Sequence, residues 1–122
     1  MSKKILLVDD DVVIVRLVEA VLKTAGYEVI VAFDGLEALD KLLKERPDLV
    51  ILDVIMPEIN GYDVCYQLRF NQEFDEIPII ILSEVEQELG GKIAERVNIE
   101  YLRKPVDQKL ILEKVEKLLK DE

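Results

Sequence analysis

A short apolar run that ends in a carboxylate constrains the fold of this chain more than any other feature. Four apolar residues occupy Leu49–Leu52 between Pro47 and Pro57, and Asp53 follows them directly. An unbroken apolar run of this length predicts a strand buried on both faces, as in a parallel sheet covered by helices. Ligands of such sheets bind at the carboxyl ends of the strands. Asp53 is therefore the first candidate for a functional residue.

The rest of the chain alternates strand-like and helix-like segments. Further strands are predicted at 4–8, 28–33, 78–82 and 99–102. Segments with helical apolar spacing follow the strands, ending with one from about Asp107 to Leu119. Five such alternations predict an α/β fold, a (βα)5 doubly wound parallel sheet with helices on both faces.

Helical spacing also assigns a buried face to each helix. The side chains assigned to these faces are Ile14, Leu17, Val18, Val21 and Leu22 in the first helix, Leu36, Leu39, Leu42 and Leu43 in the second, Val64 and Leu68 in the third, and Leu110, Ile111, Val115 and Leu118 in the last.

Composition narrows the class of protein. At 122 residues the chain is interpreted as one domain, spanning 1–122, with no sequence left for an output domain. A net charge of -10 argues against direct binding to nucleic acid and disfavours anionic membranes. The single cysteine, the lack of a secretory signal and the lack of a membrane-length apolar run predict a cytoplasmic protein. The chain has no histidine, so any phosphohistidine chemistry needs a partner's histidine.

Polar residues stand at the predicted carboxyl ends of the strands. Asp9 and Asp10 follow the first strand, Asp53 the third and Ser83 the fourth, and the fifth leads to Lys104. In a doubly wound sheet these ends share one edge, where clustered carboxylates favour a hard divalent cation such as Mg²⁺. A hydroxyl and an ammonium beside that ion suit phosphoryl oxygens, and a carboxylate can itself be the nucleophile.

Several motifs in order resemble the receiver domain of two-component response regulators. They are Val8-Asp9-Asp10, Asp53 followed by Met56-Pro57 and Gly61, Ser83 after an Ile-rich strand, and Tyr101-Leu102-Arg103-Lys104-Pro105. The resemblance covers the whole chain and implies the CheY-like, flavodoxin-like strand order 2-1-3-4-5. It also implies that the protein is a signalling switch and not an enzyme. The only chemistry of such a switch is phosphotransfer to itself and loss of that phosphoryl group.

The resemblance implies a role for each site residue. Asp53 is the phosphoacceptor that receives a phosphoryl group from a sensor histidine kinase or a histidine phosphotransfer protein. Asp10 and Asp53 ligate Mg²⁺ directly, Asp9 through water, and Ile55 through its backbone carbonyl. Lys104 reaches the phosphoryl group or Asp53, and the Lys104-Pro105 bond is cis.

The same resemblance implies how the phosphoryl state is read. Ser83 and Tyr101 form a switch pair, which changes the face built from the fourth helix, the fifth strand and the fifth helix. A downstream protein target or an output domain reads that face. The mixed Lys and Glu side chains on the last helix suit a homodimer through this face, and solvated charge explains them equally well.

Two positions depart from the usual pattern. Glu84 follows Ser83 where the family usually keeps a small residue, and it can bond outward, repel an anion or affect access of water. Ile55 is apolar where some relatives carry a polar side chain, and our hypothesis is that this lengthens the life of the phosphoryl state. We expect both positions to modulate the site.

Other interpretations remain. Acidic residues before a helix are commonly caps, which accounts for Asp11 and for one of Asp9 and Asp10.

A pseudo-receiver that never takes phosphate is the main functional alternative, and Glu84 is the only feature that favours it. A small Mg²⁺-dependent phosphatase usually carries Asp-x-Asp, whereas Val54 and Ile55 follow Asp53 here. A flavin phosphate would be repelled by the aspartates after the first strand.

Overall fold

The computed structural model describes residues 2–53, 64, 67–68, 71, 74, 76–83 and 99–120. These residues contain a five-stranded sheet with the order β2-β1-β3-β4-β5 and parallel pairing throughout. The elements in chain order are β1 (Lys4–Val8), α1 (Val12–Thr24), β2 (Glu28–Ala32), α2 (Gly35–Glu45), β3 (Leu49–Asp53), β4 (Ile79–Ser83), β5 (Ile99–Arg103) and a last helix (Gln108–Leu119). The predicted fold class and strand order are confirmed.

The two faces of the sheet carry separate apolar cores, because alternate residues of a strand point to opposite faces. Leu6, Leu52 and Ile81 belong to one core, which also contains buried residues of α2. Leu7 and Ile51 belong to the other, which α1 and the last helix cover. Every residue of β3 and β4 is buried. Helices on both faces, as predicted, explain why these strands read as unbroken apolar runs.

An aspartate is the N-cap residue of each of the three helices whose ends are described. Asp11 accepts hydrogen bonds from Val13 N–H and Ile14 N–H at 2.9 and 3.3 Å, so it caps α1. Asp34 caps α2 and Asp107 caps the last helix in the same way. The capping interpretation of Asp11 is therefore correct. Gly26, at φ 100°, follows α1 in a conformation that favours glycine.

The buried helix faces are narrower than predicted. Val15, Val18 and Leu22 form the buried face of α1, whereas Leu17 is exposed. Leu36 and Leu43 of α2 and Leu110 of the last helix were also assigned inward and are exposed. A helix resting on a sheet buries only about a 100° stripe, so apolar residues at the margin of the stripe remain in solvent. Assignment of these four leucines to the core was wrong.

The remaining helix predictions have mixed outcomes. Val64 and Leu68 are helical and buried, as expected of the third helix. The predicted fourth helix lies outside the described residues. In the part of the chain that the structure describes, the helices are too short or too polar to cross a bilayer.

Candidate functional site

Two aspartates are fixed at neighbouring strand ends by the sheet itself. Asp53 is the last residue of β3, and Asp9 follows β1 directly. The parallel register Val8↔Leu52 brings these ends level with each other. Asp9 is 0% exposed and Asp53 is 5% exposed, while Asp10 is exposed. One carboxylate oxygen from each lies within 4.8 Å of one from each of the others. We call Asp9, Asp10 and Asp53 the acidic site.

Asp9 is held from two sides. Its backbone N–H donates to the Ala32 carbonyl at 3.2 Å, and its Oδ1 accepts from Asp11 N–H at 2.9 Å. Its Oδ2 is buried and accepts no hydrogen bond. The neighbour of this oxygen is the Lys104 ammonium, whose Nζ lies 3.1 Å away in an ion pair. A buried carboxylate oxygen left with one such contact can still accept a cation or a proton donor.

Lys104 enters the acidic site from the chain directly after β5, and β4 lies between β5 and β3 in the sheet. The backbone N–H of Lys104 donates to the Ser83 carbonyl at 2.8 Å, which extends the pairing of β4 and β5 by one step. Its Nζ then lies 3.1 Å from Asp9 Oδ2 and 3.4 Å from Asp53 Oδ1. The Lys104 side chain is 13% exposed. The lysine therefore bridges the two buried carboxylates.

The charges of the site act on this lysine in opposite directions. Burial lowers the pKa of Lys104, but the close polar contact and charge of Asp9, followed by those of Asp53, outweigh burial. The pKa of Lys104 therefore stands above its ordinary value, and the ammonium is charged at neutral pH. One ammonium is paired with two of the three carboxylates of the acidic site. The site keeps an excess of negative charge.

This excess and the oxygen donors fit a hard divalent cation. Carboxylate oxygens within one cation's reach are the ligands that Mg²⁺ and similar ions prefer. The buried Asp9 Oδ2, which accepts no hydrogen bond, is consistent with such a site. The three aspartates can therefore hold a metal ion. Ile55, the fourth predicted ligand, lies outside the described residues, as does Glu84.

Ser83 and Tyr101 lie on adjacent strands beside the acidic site. Ser83 ends β4 and is buried, and Tyr101 is half-buried in β5 opposite Ile81. Because residues two apart share a face of a strand, Ser83, Ile81 and Tyr101 line the same face of the sheet. Tyr101 packs against the core on that face. The structure therefore brings the predicted switch pair onto one surface.

Pro105 and Lys104 are joined by a cis peptide bond, the geometry that the resemblance implies. The sequence did not indicate that Lys104 lies closer to Asp9 than to Asp53. The sequence feature that could have indicated this is the position of Asp9, which is nearer to β1 than Asp10 and is the buried one of the two. A carboxylate buried at a strand end needs a cationic or hydrogen-bonding partner.

Comparison with known proteins identifies the family of this chain. Residues 5–116 match the family described as the response regulator receiver domain. The chain is 39% identical, over 98% of its length, to the alkaline phosphatase synthesis transcriptional regulatory protein PhoP of Bacillus subtilis, covering 50% of that protein. It is 38% identical, again over 98%, to the response regulator MprA of Mycobacterium bovis, covering 52%. The chain spans about half the length of these curated relatives.

Among solved structures, the chemotaxis response regulator CheY4 of Vibrio cholerae superposes with a TM-score of 0.87 at 32% identity. The match covers 98% of this chain and 100% of the other. The chain belongs to the receiver domain family of two-component response regulators. Receiver domains are phosphorylation-dependent signalling switches, and response regulators interact with histidine kinases and with output targets.

Proposed function

We propose that Asp53 accepts a phosphoryl group from a phosphorylated histidine of a sensor kinase or a phosphotransfer protein. The observation that carries this proposal is the Lys104 ammonium, 3.4 Å from Asp53 Oδ1 and 3.1 Å from Asp9 Oδ2, at the buried end of β3. A cation fixed beside a carboxylate neutralises charge that would otherwise repel an incoming phosphoryl group. Asp53 then attacks phosphorus, the bond from phosphorus to the donor's nitrogen breaks, and an acyl phosphate forms.

Mg²⁺ is the proposed cofactor. Asp10 and Asp53 are the proposed direct ligands, with Asp9 through water and the Ile55 carbonyl completing the set. When bound, the ion supplies positive charge to the phosphoryl oxygens. Support comes from the three carboxylates within 4.8 Å of one another and from their excess over the single ammonium.

Ser83 and Tyr101 are the proposed switch. The Ser83 hydroxyl moves towards a phosphoryl oxygen, and the Tyr101 ring follows inward, since both residues line the same face of the sheet. Tyr101 is half-buried, so an inward movement of its ring would bury more of its surface. The altered face includes β5 and the last helix, where a downstream target or an output domain binds.

The wider setting follows from the same proposal. We place the protein in the cytoplasm, as one receiver domain over 1–122 that either acts alone or belongs to a longer regulator. It binds neither nucleic acid nor membrane through this domain, in keeping with a net charge of -10. A homodimer through the face containing β5 and the last helix is an optional output state.

The first experiment is intact-mass analysis after incubation with acetyl phosphate or phosphoramidate, with and without Mg²⁺. We expect a gain of one phosphoryl group that requires Mg²⁺ and is absent in Asp53→Asn. Asp48→Asn is the matched control, since Asp48 lies at the other end of β3 and bonds the Lys4 N–H. No gain in the wild-type protein, with Mg²⁺ binding demonstrated, would establish the pseudo-receiver instead.

The Ile55 hypothesis has its own test. Ile55→Asn introduces a polar side chain two residues after Asp53, which we expect to orient an attacking water. We expect the variant to lose its phosphoryl group several times faster, a smaller effect than the roughly 10²- to 10⁴-fold that a positioned proton-transfer group supplies. Decay is followed by intact mass after removal of the donor, with Ile55→Val as control. Equal decay in Ile55→Asn and the wild-type protein would exclude this role.

A further inference from the structure

The strand that delivers Lys104 is the least buried of the strands at the acidic site. β5 stands at the end of the strand order, paired in the described sheet with β4 alone. Leu102 is its one fully buried residue. An edge strand of this kind needs contacts other than the backbone ladder to hold its position. Ile99 and Tyr101 supply such contacts on one face of β5, and Leu102 supplies them on the face towards the last helix.

Three side chains on that side form a series with a spacing of two residues. Glu100, Leu102 and Lys104 share one face of the extended chain. Leu102 belongs to the core that contains Ile111 and Val115 of the last helix. Lys104 is fixed by its backbone bond to Ser83 and by its ion pairs in the acidic site. Glu100 is the third member of this series.

Glu100 binds the last helix through two ion pairs. Lys114 Nζ lies 3.2 Å from Glu100 Oε1, and Lys117 Nζ lies 3.0 Å from Oε2. The two lysines are one helical turn apart, so the carboxylate engages the helix at two points. The hydrogen bond from Lys117 is the largest cause that lowers the pKa of Glu100; burial opposes it, and Lys114 adds to the lowering. The contact is therefore made by the ionised form.

We propose that Glu100, through Lys114 and Lys117, is a positioning residue that fixes β5 against the last helix and thereby sets the Lys104 ammonium in the acidic site. The inference rests on the proposed function in so far as it concerns phosphorylation of Asp53. Glu100 is two strand positions from Leu102 and four from Lys104, so rotation of the strand at Glu100 is carried to the lysine. The neutral glutamine variant keeps the size of the side chain and loses the charge.

Glu19 provides a matched control within the same protein. Its carboxylate also pairs with two cations, Arg16 at 3.2 Å and Lys23 at 3.0 Å. All three residues lie on α1, so these ion pairs join no second element. Glu19→Gln removes a comparable pair of contacts at a place that does not lead to Lys104. Surface ion pairs contribute little to stability, so both variants are expected to fold.

The first test measures acylation of Lys104 by an amine-reactive acetylating reagent, followed by peptide mass spectrometry. The Lys104 side chain is 13% exposed and paired in the wild-type protein, so its modification is slow. Glu100→Gln is expected to raise the rate of acylation of Lys104 about three-fold, which is the size of effect expected from loss of a partly exposed ion pair. Glu19→Gln leaves that rate unchanged. An unchanged rate in Glu100→Gln overturns the proposal.

The second test uses a double-mutant cycle on the rate of Asp53 phosphorylation at saturating phosphodonor and Mg²⁺. Glu100→Gln is expected to slow the reaction about three-fold in the wild-type background and to have no further effect when Lys104→Ala is present. The charge-reversed variant with Glu100→Lys, Lys114→Glu and Lys117→Glu is expected to restore the rate. Independent, multiplicative effects of Glu100→Gln and Lys104→Ala overturn the proposal.

Failure of the two proposals can be told apart. A wild-type protein that takes no phosphoryl group removes the proposed function, while faster acylation of Lys104 in Glu100→Gln still supports the positioning role. A phosphorylated wild-type protein with unchanged acylation and an additive cycle removes the positioning role alone.

Discussion

β3 and β5 each lead a charged side chain into the same site, but different forces hold the two strands. β3 lies between β1 and β4, and all five of its residues are buried. β5 stands at the end of the strand order with one buried residue, and its outer side contacts the last helix through Leu102 and the ion pairs of Glu100. Asp53, the proposed phosphoacceptor, therefore ends a strand that is buried throughout, whereas Lys104 follows an edge strand with one buried residue.

The difference indicates where the site can change. Burial of apolar side chains in β3 stabilises one position of Asp53 by several kcal/mol, about 1.5 to 3 for each fully buried aliphatic side chain. Exposed and half-buried ion pairs contribute about 0 to 1 kcal/mol each, so small differences in binding energy can shift β5. Tyr101 lies on this same strand. A switch that moves β5 and leaves β3 in place agrees with both observations.

The largest expected effect separates the two strands by stability. Ile51→Ala in β3 removes a fully buried side chain and is expected to lower the free energy of unfolding by about 3 to 4 kcal/mol. Ile99→Ala in β5 removes a half-buried one and is expected to cost about 1 to 2 kcal/mol. Urea unfolding of the two variants and the wild-type protein gives both values. Equal losses would mean that β5 is anchored as firmly as β3.

The next effect concerns the metal, which is proposed to act at the end of β3. A ligand present at ten times its dissociation constant stabilises the folded state by about 1.4 kcal/mol. We expect Mg²⁺ to raise the free energy of unfolding by this amount in the wild-type protein and by less than half of it in Asp10→Asn. Asp40→Asn is the control, because Asp40 is an exposed carboxylate on α2.

One outcome would contradict the assignment of the metal to the acidic site. Stabilisation by Mg²⁺ that is equal in the wild-type protein, Asp10→Asn and Asp40→Asn would show that the ion binds elsewhere or acts through general screening of charge.

The smallest effect is a pH dependence on the β5 side. The pKa of Glu100 is lowered in the folded protein, mainly by Lys117, so its contribution to stability is present above about 4.5 and is lost as pH falls through the folded pKa. Glu100→Gln lacks this contribution. We expect the wild-type protein to exceed the variant by less than about 1 kcal/mol at neutral pH, with the gap closing in acid.

Urea unfolding at neutral pH and at several values below 4.5 measures this gap. Glu113→Gln, on the exposed side of the last helix, is the control for loss of one negative charge. A gap between the wild-type protein and Glu100→Gln that widens as the pH falls would have the wrong sign for an ion pair.

Sequence reasoning succeeded where one strong physical constraint decided the outcome. The unbroken apolar run Leu49–Leu52 is explained by burial on both faces, so the strand and its carboxyl-terminal Asp53 could be placed to the residue. Asp11 could be identified as a cap because it stands directly before a helical repeat. The strand order followed from the resemblance, and the structure confirms it.

It failed where several arrangements had similar energies. Leu17 and Leu43 are apolar at the margin of a helix face, and the repeat alone does not show which side of the margin is covered. The lysines of the last helix were read as a mixed charged surface, whereas Lys114 and Lys117 pair with Glu100 across to β5. Such ion pairs join two secondary-structure elements, and the spacing of residues within one element does not predict how it is oriented against another. The shorter distance from Lys104 Nζ to Asp9 than to Asp53 could not be predicted for the same reason.

The most direct test locates the phosphoryl group. The protein is phosphorylated with acetyl phosphate and Mg²⁺, reduced with borohydride, which converts an aspartyl phosphate to homoserine, and mapped by peptide mass spectrometry. We expect homoserine at position 53 and no conversion at Asp9 or Asp10. Homoserine at either of those residues, or an acid-stable phosphate on Ser83, would contradict the assignment of Asp53 as the acceptor.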